Sequence, residues 1–331
     1  MPIAVSGMKK IQIIVGAIAA AACSLILPTA LRAQTSPALL LKPWDAPGAA
    51  ENTTTGLVAN EGHVQENGDG FQFSSVESEG RFRLFPGNEA SPRIGYDVTF
   101  INAHTSAPNF PHQLLDASVA GGSFVGIYHD WILGATAGVG YSGSEAFGEG
   151  RGWYGRASFI VARKFSDQDA VGVGIDYDGH RSYLPDCPLP GLAYSHTFDP
   201  HLDVVIGAPL SSLTWKPDDH WRIYADWLLL TDFDVNVTYM FTKHIGAFVD
   251  LETHRDQFWI PELPDHKRLL YLQRRIEGGV NWEPFNGFHL TAAIGYAFST
   301  DFRAGWDYRT TTPYLYASNE PYIRAGLDYR F

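Results

Sequence analysis

The chain has 331 residues, 24 Lys plus Arg against 36 Asp plus Glu, a formal net charge of −12 and only two cysteines. Charged residues make up 18% of it, below the roughly 25% of an ordinary soluble domain, and 33 Gly with 20 Pro speak against long surface helices laced with Glu and Lys. The acidic balance, without clustered Lys and Arg, argues against nucleic acid as a partner.

The first 33 residues differ in kind from the rest. Lys9 and Lys10 precede Ile11 to Leu27, a run without a charged residue, and Leu31, Arg32 and Ala33 follow. Basic, apolar and then small residues are the layout of a secretory signal peptide, with cleavage expected after Ala33. The apolar run is shorter than the ~20 residues of a spanning helix. Cys23 follows four alanines, the setting of a lipoprotein cysteine, but Leu25, Ile26 and Leu27 continue the apolar run past it. With Cys23 in the leader, Cys187 is the single mature cysteine, so neither a disulfide framework nor a CxxC zinc pair is expected. Residues 34–53, with Pro37, Pro43 and Pro47, read as a flexible linker. Within it Leu39, Leu40, Leu41 and Trp44 suit either a short plug or an apolar remnant beside the cleavage site.

From residue 54 onward the chain alternates with period two. Ile94, Tyr96, Val98 and Phe100 oppose Gly95, Asp97 and Thr99. Val171, Val173, Ile175 and Tyr177 oppose Gly172, Gly174, Asp176 and Asp178, and Trp221, Ile223, Ala225 and Trp227 oppose Arg222, Tyr224 and Asp226. The pattern repeats at Phe233 to Phe241 against Asp234, Asn236 and Thr238, at Ile276, Val280 and Trp282 against Arg275 and Glu277, and at Phe288 to Phe298. Segments of roughly ten residues with aromatic ends exceed the strand length of a soluble sandwich and fit a membrane barrel, apolar face to lipid and polar face to the lumen. Hydrocarbon leaves no water for an open sheet edge, so such a sheet must close.

The expected strands are 54–64, 71–84, 92–103, 114–126, 131–142, 152–163, 169–179, 203–215, 220–230, 233–241, 244–254, 267–282, 286–299 and 321–331. Long gaps at 104–113, 143–151, 180–202, 255–266 and 300–320 alternate with short ones, as outer loops alternate with periplasmic turns. The tight turn at Thr231 and Asp232 is the exception. The fold expected is an all-β, closed antiparallel transmembrane β-barrel over 54–331, of about 14 strands with 12 as the next choice, because such barrels have even counts.

The last segment is the most specific. Ile323, Ala325, Leu327, Tyr329 and Phe331 alternate with Tyr322, Arg324, Gly326, Asp328 and Arg330, and the sequence stops on Phe331. Together with the leader and the alternating segments, this strand resembles bacterial outer-membrane β-barrel proteins, a porin-like class. The resemblance implies location in the bacterial outer membrane, contact with its lipid, and an aromatic terminus, Tyr329 and Phe331, read by the barrel assembly machinery.

No GxSxG, HExxH, P-loop or EF-hand pattern occurs. Ser195, His196, Asp199 and His201 are the densest catalytic candidate, but adjacent residues of an extended chain point to opposite faces, so Ser195 and His196 should not converge. His180 with Asp176 and Asp178, and His254 with Glu252 and Asp256, have metal-ligand chemistry, yet the polar face of a barrel yields such neighbours routinely. No enzyme activity, metal or cofactor is therefore expected. The inward row of Asp97, Asp176, Asp226, Asp234, Asp250, Glu252, Glu277 and Asp328, with Arg156, Arg222, Arg275, Arg324 and Arg330, is expected to line the lumen. Two readings stay open: a pore for small solutes with weak cation preference, or a closed structural or adhesive barrel whose charges pair across the lumen. A lipid-acting barrel enzyme is a weaker third.

Overall fold

The computed structural model describes residues 49–65, 68–85, 91–128, 131–228 and 232–330. The expected signal peptide, most of the linker, Thr231 and Phe331 lie outside them. Seventeen strands form one sheet. In chain order they are β1 (Ala50–His63), β2 (Gly70–Arg83), β3 (Arg93–Thr105), β4 (Gln113–Tyr128), β5 (Trp131–Gly143), β6 (Trp153–Lys164), β7 (Asp169–Asp178), β8 (Leu189–Asp199) and β9 (Leu202–Ala208). They continue as β10 (Leu210–Trp215), β11 (Trp221–Leu228), β12 (Asp232–Met240), β13 (Ile245–Phe258), β14 (Arg268–Phe285), β15 (Phe288–Gly305), β16 (Thr311–Tyr316) and β17 (Glu320–Arg330).

Every strand pairing is antiparallel, all join chain neighbours except β15–β17 and the closing pair, and β17 returns to β1 through Arg330↔Glu51 to Ile323↔Val58, so the sheet closes. β15 is long enough to hold β17 along Phe288–Ala297 and β16 along Asp301–Gly305. The closed ring thus contains sixteen strands, with β16 an extra strand above β17.

The expected count of 14 is corrected at two places. The gap at 180–202 contains β8, and the segment 203–215 is two strands, β9 and β10, folded back at Pro209 with Ser212 facing Val205. Three strands stand where one was expected, which keeps the up-down parity of the rest. The gap at 300–320 contains β16, and β1 starts at Ala50, inside the expected linker.

Burial follows the alternation. The outer face carries Ile294, Ile323 and Ile206, which are 72%, 66% and 65% exposed, while Asp97, Asp116, Arg156, Asp250, Arg275, Glu277 and Arg324 are buried on the inner face. This is the inverse of a soluble domain. Two glycines let aromatic rings lie flat on the inner wall: a Cβ at Gly140 would stand 2.2 Å from the Tyr154 ring, and one at Gly295 would stand 2.3 Å from that of Tyr322. Any larger residue there would displace the ring.

Candidate functional site: a pinched, charged lumen

Seven strands separate β5 from β13 along either arc of the ring, so the two are diametrically opposed. They nevertheless touch. At the end with the longer connections, the tip of β13 leans across the lumen and Trp259 bridges to Gly143. The Ser142 hydroxyl donates to the Gln257 carbonyl at 2.6 Å, and the Ser144 amide donates to the Trp259 carbonyl at 3.1 Å. Arg151 ties the connections on either side of this contact, donating to the Ile260 carbonyl at 2.6 Å and to Asp265 at 2.9 Å. The pinch divides that end of the barrel into two lobes.

The lobe enclosed by β13–β17 and β1–β4 is filled. Phe71, Phe73, Ile101, Leu114, Phe258, Leu269, Tyr271, Phe302, Leu315 and their neighbours form one buried apolar cluster. Its centre is aromatic: Phe302 stands 4.8 Å from Phe110 and 5.1 Å from Tyr271, ring centre to ring centre.

Beneath the cluster lies a layer of buried charge. Arg324 holds Glu277 with two guanidinium nitrogens, and the Tyr322 hydroxyl donates to the same carboxylate at 3.0 Å. Arg275 donates to Glu252 at 3.0 Å and to Gln273 at 2.6 Å. Glu77 of β2 approaches Arg275 and His254 at 3.9 Å, linking β2 to β13 and β14 across the lumen. Arg156 pairs with Asp178 at 3.0 Å.

On the far side of Arg156, three elements bring Asp116 (β4), His180 (the β7–β8 connection) and Asp256 (β13) together. The His180 Nε2 lies 2.8 Å from Asp256 Oδ1 and 3.4 Å from Asp116 Oδ2. The Tyr154 hydroxyl donates to Asp116 at 2.6 Å, and its ring stacks on the imidazole at 4.7 Å. Burial holds the His180 imidazole below its ordinary pKa. The backbone N–H of His180 donates to Asp178 at 2.7 Å.

The lobe bounded by β6–β12 carries a different chemistry. Its strands β9–β12 are short, six to nine residues each, and register sets Asp226 beside Asp234 and Asp234 beside Glu252. One strand position away, Asn236 donates to Asp250 at 2.8 Å. On the opposite arc, Arg81, Arg83 and Arg93 are buried on the inner faces of β2 and β3.

Of the residues expected in the lumen, Asp97, Asp226, Asp250, Glu252, Arg275, Glu277 and Arg324 are buried. Asp234 and Asp328 are half-buried, whereas Asp176 and Arg330 are exposed. Asp176 binds Arg181 at 2.5 Å at the barrel mouth. Arg330 faces Glu51 in the register, and Tyr329 of the expected assembly signal pairs with Asn52.

Of the two histidine groups suggested by sequence proximity, Asp256 leaves that of His254 for that of His180. His180 turns to Asp256 rather than to Asp176, and His254 turns to Glu77. Ser195 is buried in β8, while His196 lies next to it on the other face against Asp169 at 2.8 Å. Asp116 and the three arginines of β2 and β3 were missed, though each sits on the polar register of its strand.

A closed barrel with an apolar outer face and a charged interior is a transmembrane β-barrel. No protein-family model matches the chain, and none of the curated proteins matches it. Among solved structures it is similar to the toluene transporter TodX of Pseudomonas putida, at 11% identity and a TM-score of 0.40 over 93% of this chain and 95% of that one. It is also similar to a bacterial polysaccharide outer membrane secretin, at 9% identity and a TM-score of 0.42 over 87% and 100%. The KdgM porin, in complex with disordered oligogalacturonate, matches at 8% identity and a TM-score of 0.28 over 85% and 99%. Likeness at this level assigns no substrate, and the functional reading rests on this chain's own wall.

The lipid-facing side gives a direct test of the architecture. Ile294→Arg is expected to destabilise the barrel in bilayer vesicles by about 2–4 kcal/mol if the side chain lies near the midplane. Ser212→Arg, which places the charge on the inner face opposite Asp226, should cost less than about 1 kcal/mol. Urea unfolding of both variants in vesicles measures the contrast, and equal costs would contradict the inside-out reading.

Proposed function

We propose that the protein is a bacterial outer-membrane channel that passes small neutral and cationic solutes through the lobe bounded by β6–β12. The observation that carries this reading is the pair of carboxylates Asp226 and Asp234, set side by side on β11 and β12, with Asp250 on the next strand. Such a pair is costly if dry and is stabilised by water and counter-ions, as in a wetted pore. The other lobe is packed at the end with the longer connections by the aromatic cluster around Phe302. Arg81, Arg83 and Arg93 on the opposite arc polarise the lumen, and the excess of acids on the solute side sets the preference for cations.

Reconstitution into planar bilayers under a KCl gradient tests this. Discrete conductance steps with a reversal potential favouring K⁺ are expected. The double variant Asp226→Asn with Asp234→Asn should lower the K⁺ over Cl⁻ permeability ratio severalfold without abolishing conductance. Absence of steps from folded protein would favour the alternative, a closed structural barrel, and anion preference in the native protein would refute the assigned role of the acidic pair.

A further inference from the structure

We propose that Asp116, His180 and Asp256 form a binding site for a first-row divalent cation, independent of whether the lumen conducts. The three groups come from β4, the β7–β8 connection and β13, and are 4%, 6% and 3% exposed. One ligand atom from each, the His180 ring nitrogen and a carboxylate oxygen from either aspartate, lies within 4.8 Å of the others. The separations of 2.8 and 3.4 Å from Nε2 to the two carboxylates are those of neighbouring ligands around an ion with bonds of ~2.0–2.2 Å.

A second observation points to a missing cation. Asp256 Oδ1 is satisfied by the Gln257 amide at 2.7 Å and by His180, but Asp256 Oδ2 is buried without a hydrogen-bond partner. The two oxygens share one carbon and one charge, so a cation held by this carboxylate in a bidentate manner would meet both. Among the described residues the ion-pair contacts of both aspartates are to His180 alone, whose single Nε2 proton cannot serve two carboxylates. The guanidinium ion pairs nearby are Arg156 with Asp178 and Arg275 with Glu252, and Arg156 acts on Asp116 and Asp256 through its field. An ion accepting both carboxylates and the imidazole lone pair resolves the excess negative charge and the orphaned oxygen together.

The donor set selects the ion class. Two carboxylates with one imidazole suit Zn²⁺, Mn²⁺ or Fe²⁺, and provide too few oxygens for Ca²⁺. Tyr154 supplies the outer support, fixing the far oxygen of Asp116 by its hydroxyl and the imidazole plane by stacking. An ion here would staple β4 to the leaning tip of β13.

Zn²⁺ is the probe. Barrel refolded in detergent, stripped with chelator and dialysed against micromolar Zn²⁺, should retain about one ion per chain and resist heat unfolding better than the stripped form. Co²⁺ loading should give visible absorption of a low-symmetry N/O site. His180→Gln and Asp256→Asn should lose this ion, and Tyr154→Phe should weaken binding about 10- to 100-fold. Asp176→Asn, at the exposed mouth, should behave as native. Equal retention by native protein and by folded His180→Gln would place the ion at a surface histidine and overturn the proposal. Should the variants not fold, native barrel without saturable uptake or Co²⁺ absorption overturns it by itself.

Discussion

Phe302→Ala is expected to lower the stability of the barrel by about 3–5 kcal/mol, the range for removing a fully buried aromatic side chain from a packed core. Phe302 has no exposed surface and is centred among Phe71, Phe110 and Tyr271, with ring distances of 6.1, 4.8 and 5.1 Å. Register adds Tyr271 on β14 and Leu315 on β16 as direct cross-strand neighbours. The walls of the cavity belong to strands fixed by ladder hydrogen bonds, so they cannot move inward to fill it. The loss should therefore sit at the upper part of the range, as transfer and cavity costs add. Urea unfolding in detergent measures it, and a change below about 1 kcal/mol would mean that the filled lobe is loosely packed.

This residue also marks the limit of what alternation reveals. The strand expected there ends at 299 and leaves Phe302 in a loop, and counting on in twos from Phe288 through Ile294 would put Phe302 on the outer, lipid-facing side. In the structure Ser299 adopts φ 53° and the register against β14 slips between Arg274↔Phe298 and Leu272↔Asp301. Three residues of β15 span two of β14, a bulge that turns the rest of the strand over. Even-numbered residues face out before it, and Phe302 and Ala304 face in after it. The filled lobe was hidden for this reason. Phe71, Phe73 and Ile101 share a face with Glu77 and Asp97, and inward apolar residues read as noise in a polar register.

Elsewhere the period of two was sufficient. The faces of β3, β7, β11, β12 and β17 stand as the sequence implies, because the apolar residues that alternate there with polar ones, such as Ile94, Val173, Trp227 and Ile323, lie on the outer face and no bulge intervenes. Strand number was less legible. Pro188 and Pro190 flank the start of β8 and disguise it as loop, and only the backbone shows that Pro209 separates two strands. The partners of the charged groups lay further out of reach. Asp116, His180 and Asp256 are 64 and 76 residues apart along the chain, and only the crossing of β13 over the lumen brings them together. No local spacing encodes that crossing.

Glu277→Ala should be the second severe lesion, and for an electrostatic reason. Glu277 and Arg324 have side chains 1% and 6% exposed, and the carboxylate accepts from two guanidinium nitrogens and from the Tyr322 hydroxyl. Removing it leaves a guanidinium buried without its counter-charge, which costs about 3–5 kcal/mol. Arg324 cannot shed its proton to escape the penalty. Glu277→Gln should fall between native and Ala, since the amide oxygen still accepts a hydrogen bond but offers no charge. The double variant Glu277→Ala with Arg324→Ala should recover part of the loss, because the unpaired charge is then gone. By contrast, Asp176→Ala breaks the pair with Arg181 at the mouth, where the Asp176 side chain is 51% exposed, and should change stability by no more than about 1 kcal/mol. The four variants can be compared by the temperature at which each loses its compact migration in SDS. If Glu277→Ala matched Asp176→Ala, water would have to reach Arg324, and the buried charged layer would in fact be a wetted part of the pore.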